Sequence, residues 1–277
     1  MENNRESAGA GNRPAPAEGH PSAAMEGGAP VSRHRIAVVI PVYNHESKVA
    51  EVVRETLKLR LPVIVVNDGS TDKTGDILRT MDGIRIMSHD RNLGKGAAIV
   101  TGLVKAAETA DWAVTLDADG QHNPGDARLL IRASMTEGRA LIVGRRTGMR
   151  TEKAPWTSRF GRGFSNFWVW AAGGPRMTDS QSGFRLYPLP ETLHLGVRSR
   201  RFQFEVEVLV KAQWKGLPVT EIPVGVVYQS GGRRISHFRP FVDFMRNTAT
   251  FGRLIVLRLF LPGRLRRRPA PCPIRES

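Results

Sequence analysis

The sequence predicts an α/β domain built on a mostly parallel, doubly wound sheet with helices on both faces. Three observations predict it: short, wholly apolar runs recur, helix-like segments alternate with them, and a polar cluster stands at the end of nearly every run. Unbroken apolar runs mark strands buried on both faces, as parallel strands between two helix layers are. Right-handed crossovers then bring the strand-to-helix turns to one edge of the sheet, the edge where open α/β sheets bind ligands.

The first run, Ile36-Ala-Val-Val-Ile40, ends in Pro41-Val42-Tyr43-Asn44, and a helix is expected over 46–58. The second, Val63-Ile-Val-Val66, ends in Asn67-Asp68-Gly69-Ser70-Thr71, with a helix over 73–79. A third, Ile84–Met87, precedes a helix over 96–109. The fourth, Ala113–Leu116, ends in Asp117-Ala118-Asp119, and the fifth is Ala140–Val143. Beyond residue 150 the alternation loosens. Helices are expected over 158–172 and 204–215, and strands over 184–187 and 219–228. An amphipathic helix is expected over 240–260, where Phe241, Phe244, Thr248, Phe251, Ile255 and Phe260 recur near helical spacing.

This pattern divides the chain into a disordered tail over 1–33, rich in Gly, Ala and Pro, a main α/β domain over 34–235, an amphipathic helix over 236–262 that suits either a membrane interface or packing back on the domain, and a basic disordered tail over 263–277. The chain of 277 residues carries 41 Lys and Arg against 26 Asp and Glu, a net charge of +15, which calls for a polyanionic partner. The excess lies mainly in the second half and tail, ending in Arg264, Arg266, Arg267 and Arg268. Aromatic residues are not interleaved with it on one face, so an anionic membrane surface and phosphorylated ligands are expected as partners and nucleic acid is not. The single cysteine, Cys272, excludes an internal disulfide framework and any zinc site built on several thiolates. The first 34 residues lack the apolar core of a signal peptide, and no run approaches the ~20 apolar residues of a spanning helix. A cytoplasmic protein, peripheral at the inner face of the membrane, is therefore expected.

Asp117-Ala118-Asp119 is the centre of the chemical reading. Two carboxylates one residue apart, directly after a buried strand, suit a hard cation such as Mg²⁺ or Mn²⁺ that keeps room for phosphate oxygens. The same pattern also fits a solvated acidic turn capping the helix after Pro124. Asp68, at the end of the second strand, and Tyr43, after the first, are placed to meet a base or ribose, although Asn-Asp-Gly-Ser is also ordinary turn chemistry. Asn92-Leu93-Gly94-Lys95-Gly96 opens a helix whose N-terminus favours anions. It is not a P-loop, because the required first glycine is His89. His122 reads as a polar loop residue, and Glu205 and Glu207, two apart on one helix, as structural groups that face differently.

Taken in order, these turns resemble the nucleotide-sugar half of the family 2 glycosyltransferases, which have the GT-A fold. The likeness covers about 36–228. It is nearest to the dolichol-phosphate mannose synthase branch and its bacterial polyprenyl-phosphate relatives, and Val66-Asn-Asp-Gly-Ser-Thr-Asp72 and Thr115-Leu-Asp-Ala-Asp-Gly-Gln121 carry it. The resemblance implies a nucleotide-diphosphate sugar as donor, held near Pro41, Tyr43, Asp68 and Lys95. It implies that Asp117, Asp119 and Gln121 surround a metal and the pyrophosphate. Asp179-Ser-Gln-Ser-Gly-Phe-Arg185 resembles the segment lining the reaction centre, with Asp119, Asp179 and Arg185 as catalytic residues. Arg145 and Arg159 resemble phosphate-contacting arginines, and Arg233 and Arg234 add cations for an acceptor phosphate. Two departures stand out: His45 occupies a position where relatives usually have Glu, with Glu46 next to it, and Ser236-His237 replaces a Ser-Lys pair.

Inverting transfer to a lipid phosphate needs cations and no base, whereas transfer to a hydroxyl needs a carboxylate base, for which Asp179 is the candidate. The Gln-x-x-Arg-Trp sequence of processive synthases is absent, and Pro41-Val-Tyr-Asn44 is not the Gly-rich, basic loop of a nucleotidyltransferase. A non-enzymatic protein binding nucleotide sugar or nucleic acid is the other alternative.

Overall fold

A computed structural model describes residues 34–147, 156–225, 240–260 and 262–263, with the backbone alone over 156–160 and 240–246. The expected tail over 1–33, all but the first residue of that over 263–277, and Arg233, Arg234 and the Ser236-His237 pair lie outside the described residues, as does the side chain of Arg159.

Seven strands form one sheet in the order β3-β2-β1-β4-β6-β5-β7. They are β1 (Ile36–Val42), β2 (Val63–Asn67), β3 (Ile84–Ser88), β4 (Trp112–Thr115), β5 (Leu141–Arg146), β6 (Arg185–Pro188) and β7 (Val219–Val224). All run parallel except β6, which pairs antiparallel with both β4 and β5. The helices are α1 (Val49–Leu57), α2 (Thr74–Arg79), α3 (Lys95–Ala107), α4 (Ala127–Glu137), α5 (Trp156–Ala171), α6 (Phe204–Trp214) and α7 (Pro240–Phe260). The predicted order of elements is thus observed, with β1 and β5 longer than their apolar runs.

Alternation within β1 explains the two cores. Ile36, Val38, Ile40 and Val42 face a layer containing Val49, Val52 and Val53 of α1, Leu78 of α2 and Leu130 of α4. Ala37 and Val39 face the opposite layer, which holds Ile99 and Leu103 of α3, Val169 of α5, Leu209 of α6 and Phe251 and Leu254 of α7. A strand so covered has no polar side to show, which is why its sequence is apolar throughout.

Helix α3 lies very close to β1. A Cβ added at Gly102 would stand 2.2 Å from Cγ1 of Val39, a fully buried side chain. Close packing here fixes the depth at which α3 sits, and with it the height of Lys95 at its first turn. Gly102→Val is expected to cost about 1–3 kcal/mol by overpacking. A urea titration of the variant against the parent chain, with the midpoint as readout, checks it.

Candidate active site

The polar turns gather at one edge of the sheet, as the crossover rule requires. Val42 pairs with Asn67, and Asn67 with Ser88, so the first three strands end level with one another. Asn44 and the 70–74 turn are stitched together. The Asn44 amide donates to Ser70 Oγ at 3.0 Å, and the Thr71 amide donates to Asn44 Oδ1 at 2.8 Å. Glu46 accepts from the Lys73 amide and Asp72 from the Glu46 amide, at 3.0 and 3.1 Å. Asn44 adopts φ +52°, a left-handed conformation that Asn tolerates better than most residues. Tyr43 stands half-buried on this platform, beside buried Pro41 and Val42.

Asp68 departs from the expected base or ribose contact. It is 2% exposed, and its oxygens accept from His89 Nδ1 (2.7 Å), the Leu93 amide (2.9 Å) and the Gly94 amide (2.8 Å). The anion at the entry to α3 is thus one of the chain's own carboxylates. The Ala97 amide is also taken, by the Arg200 carbonyl at 2.8 Å. Asp68 therefore fixes the turn that delivers Lys95.

Lys95 connects the halves of the site. Its Nζ lies 2.7 Å from Asp117 Oδ1 and 2.5 Å from Glu205 Oε1, bridging β4's exit to α6. Burial disfavours the ammonium, but the two carboxylates outweigh it and lift its pKa above the ordinary lysine range. Burial would likewise raise Asp117, yet the Lys95 charge leaves that carboxyl below the usual range. Asp119 shifts the other way. Burial first, and then the charge of Asp117, push its pKa upward. Gln121 fixes the orientation of Asp119, donating from its backbone and side-chain nitrogens at 3.0 and 2.8 Å.

Among the described residues no three His, Cys, Asp or Glu side chains form a metal cage. The donor set nonetheless fits a hard divalent cation. Asp117 and Asp119 supply two carboxylates one residue apart, with the Lys95 ammonium beside Asp117. Mg²⁺-type sites commonly rest on one or two carboxylates and take their remaining oxygens from water and substrate phosphates. Asp117 and Asp119 would hold the ion, with Gln121 alongside.

The segment 178–184 enters from the antiparallel strand β6. Thr115 of β4 pairs with Arg185, and Thr115 Oγ1 donates to the Gly183 carbonyl at 2.7 Å. A Cβ at Gly183 would meet Lys95 Nζ at 2.7 Å and Asp117 Oδ2 at 2.8 Å, so a larger residue would displace the ends of these two side chains. Asp179 is fully buried and its oxygens accept from Arg146 Nε (2.7 Å) and Nη2 (2.8 Å) in a two-pronged ion pair. Burial favours protonation of Asp179, but Arg146 more than reverses this and holds its pKa low. Both oxygens are thus committed, a poor arrangement for a general base. Glu221 of β7 accepts from the Thr178 and Asp179 amides, and Asn166 of α5 accepts from the Ser180 amide at 3.0 Å.

Arg185 corrects a second expectation. It is fully buried, and its guanidinium donates to the carbonyls of Ser182, Glu205 and Ser180 at 2.7, 2.8 and 2.9 Å. It braces the 178–184 segment from behind and does not face a ligand. His122 is not a plain loop residue either: it is 5% exposed, lies stacked on Phe184 at 5.1 Å, and its Nδ1 has no hydrogen-bond partner. Burial lowers its pKa. Arg145 stands half-buried at the end of β5. Arg146, Glu205 and Glu221 were not singled out by sequence for the site. Strand alternation separates Arg145 from Arg146 but does not say which meets Asp179. Glu207 faces away from Glu205, as its spacing predicts, and pairs with Lys211 and Arg253.

The Glycosyl transferase family 2 model matches residues 37–189, more than half of the chain. The chain belongs to glycosyltransferase family 2. A UDP-N-acetylglucosamine–dolichyl-phosphate N-acetylglucosaminyltransferase of Methanococcus voltae is 32% identical over 215 residues, covering 70% of this chain and 86% of its own. A dolichyl-phosphate β-glucosyltransferase of Trichomonas vaginalis is 26% identical, over 68% of this chain and 64% of its own. In fold the enzyme is similar to glucosyl-3-phosphoglycerate synthase of Mycobacterium tuberculosis, whose crystal structure holds Mn²⁺ and UDP, with a TM-score of 0.60, 21% identity and coverage of 83% and 81%. These matches identify the enzyme as a glycosyltransferase with a GT-A fold, as the sequence resemblance implied.

The Arg146–Asp179 pair generates a prediction with a definite sign. In the parent chain its contribution is present at neutral pH and is lost as pH falls below the ordinary carboxylate range through Asp179's lowered pKa. Arg146→Leu strands a buried carboxylate, at a cost of about 3–5 kcal/mol. The stranded group's pKa then rises above its unfolded value, so the variant's deficit should grow as pH rises from about 5 to about 8. Urea midpoints of both chains at the two pH values test this.

Proposed function

We propose that this enzyme transfers a sugar, with inversion, from a nucleotide-diphosphate sugar to a lipid-linked phosphate, a polyprenyl phosphate being the chemical class. One observation carries the donor side: two carboxylates, Asp117 and Asp119, stand one residue apart at the carboxyl edge of β4, the first held by Lys95 and the second by Gln121. A second supports the acceptor side. Asp179, the one base candidate, has both oxygens on Arg146, which suits an acceptor that is already ionised and needs no deprotonation. The dolichyl-phosphate activities named for two relatives point the same way.

A divalent cation, Mg²⁺ or Mn²⁺, bound at Asp117 and Asp119 offsets the charge of the leaving nucleoside diphosphate. The chain's own residues do the rest. Lys95 keeps Asp117 ionised. Gln121 aims Asp119. Tyr43, beside Pro41, flanks the base of the donor. Asp68 acts behind Lys95 by holding its turn, and Arg185 and the Arg146–Asp179 pair keep the 178–184 segment against Asp117. Arg145, Arg159, Arg233 and Arg234 are proposed to gather the acceptor phosphate, since guanidinium forks match its oxygens in pairs. The 34–235 span is the catalytic domain in this reading.

The test is a thermal-shift panel of nucleoside diphosphates and nucleotide sugars, with and without Mn²⁺. A bound ligand raises the apparent melting temperature by mass action. One nucleotide should give a metal-dependent shift that Asp119→Ala abolishes without lowering the ligand-free melting temperature by more than a few degrees. The same variant should lose at least about a hundredfold in transfer of labelled sugar into the lipid extract. Normal turnover by folded Asp119→Ala would overturn the assignment.

A further inference from the structure

We infer that α5 and the last two turns of α7 together form one surface that seats the enzyme on an anionic lipid bilayer. The sequence left the amphipathic helix at 236–262 either on a membrane or packed on the domain, with one apolar face for one of the two. The described part of α7 is different, because it is apolar on two sides. Asn247, Phe251 and Leu254 are buried on the domain. Arg253 pairs with Glu207 of α6 at 2.7 Å, and Arg258 donates to the Ala171 carbonyl at 2.6 Å, closing the C-terminus of α5. The helix is therefore docked along its inner side. Its outer side carries Val256, Leu259 and Phe260, exposed by 52%, 72% and 80%.

A second apolar strip lies next to this one. On α5, Ser165 and Val169 point inward, whereas Phe167 and Trp170 are 54% and 47% exposed. Trp168 of α5 stacks on Phe251 of α7 at 6.4 Å between ring centres, and Phe167 lies 5.3 Å from Trp168, so the strips adjoin. Scattered exposed apolar residues need no explanation, but five large ones on two touching helices do. The surroundings select the partner. Arg176 lies over the Trp170 ring at 5.9 Å, and the sequence directly after α7 continues to Arg264, Arg266, Arg267 and Arg268. Aromatic side chains beside the Arg176 guanidinium, with a basic run following in the sequence, match the apolar boundary and phosphate layer of an anionic membrane. No helix among the described residues is long and apolar enough to cross a membrane, so the contact is with its surface. Asn166, one residue from Phe167, holds the Ser180 amide and the Thr178 carbonyl, which ties this surface to the segment beside the carboxylates.

The inference stands on exposure and charge, and it deepens the lipid-acceptor reading by supplying the face on which that acceptor is met. The full chain should float with vesicles of phosphatidylcholine mixed with phosphatidylglycerol and far less with phosphatidylcholine alone. Phe167→Ser/Trp170→Ser and, separately, Leu259→Ser/Phe260→Ser should each weaken flotation roughly tenfold. Their melting temperatures and donor-induced thermal shifts should stay at parent values, because these side chains are exposed and face outward. Unchanged flotation of both pairs would overturn the inference and leave the basic tail as the sole attachment. Light scattering that finds a dimer in the parent and a monomer in the variants, with no vesicle binding by either, would overturn it in favour of a second copy. A chain that floats as described yet never labels lipid phosphate would sustain the surface and sink the acceptor reading.

Discussion

Lys95 is the charge on which the site depends. A buried ammonium is tolerated only where carboxylates meet it, and here they come from different parts of the chain, Asp117 from the exit of β4 and Glu205 from α6. The position of Lys95 is itself dictated by Asp68, which draws the amides of Leu93 and Gly94 inward, and by the tight seating of α3 on Val39 at Gly102. Any displacement of α3 would therefore deprive Asp117 and Glu205 of the ammonium they share. The acidity that suits the site for a cation is thus held in check by a lysine that cannot easily move away.

This arrangement gives two adjacent carboxylates different characters. Asp117 is kept ionised by its ammonium partner, whereas Asp119, pushed up by burial and by Asp117, gains most from an added positive charge. Environment, more than residue type, divides the roles. The opposite wall is built on the same logic. Arg146 and Asp179 neutralise each other in a buried pair, Arg185 spends its guanidinium on three carbonyls, and the 178–184 segment becomes a fixed surface.

Much of this was legible in the sequence because parallel strands under two helix layers must be apolar throughout, and Ile36–Ile40, Val63–Val66 and Ala113–Leu116 are. The site's position followed, since turns after such strands share an edge. Partners were harder to read. Asp68 sits where a donor contact was expected, but its carboxylate found three donors within its own chain, which no local spacing reveals. Arg185 and Arg146 are both arginines near a carboxylate in sequence or space, and only burial distinguishes a brace from an ion pair. Glu205 and Glu207 were separable by helix geometry, yet that Glu205 meets a lysine 110 positions away depends on how α6 packs against α3. The two-sided character of α7 was hidden for the same reason, because Phe251 and Phe260 look alike until one of them is covered.

The reversed strand β6 has a consequence for how such an enzyme can vary. In a wholly parallel sheet every segment at the ligand edge is departing from a strand, and incoming chain is confined to the far side. Here the 178–184 segment arrives at that edge, so the site is assembled from outgoing turns on one flank and an incoming one on the other. The outgoing turns hold the paired carboxylates, and the incoming one carries Gly183 and Asp179. The two walls of the site thus stand on separate stretches of chain, with β4 and β6 as the seam that keeps them in register.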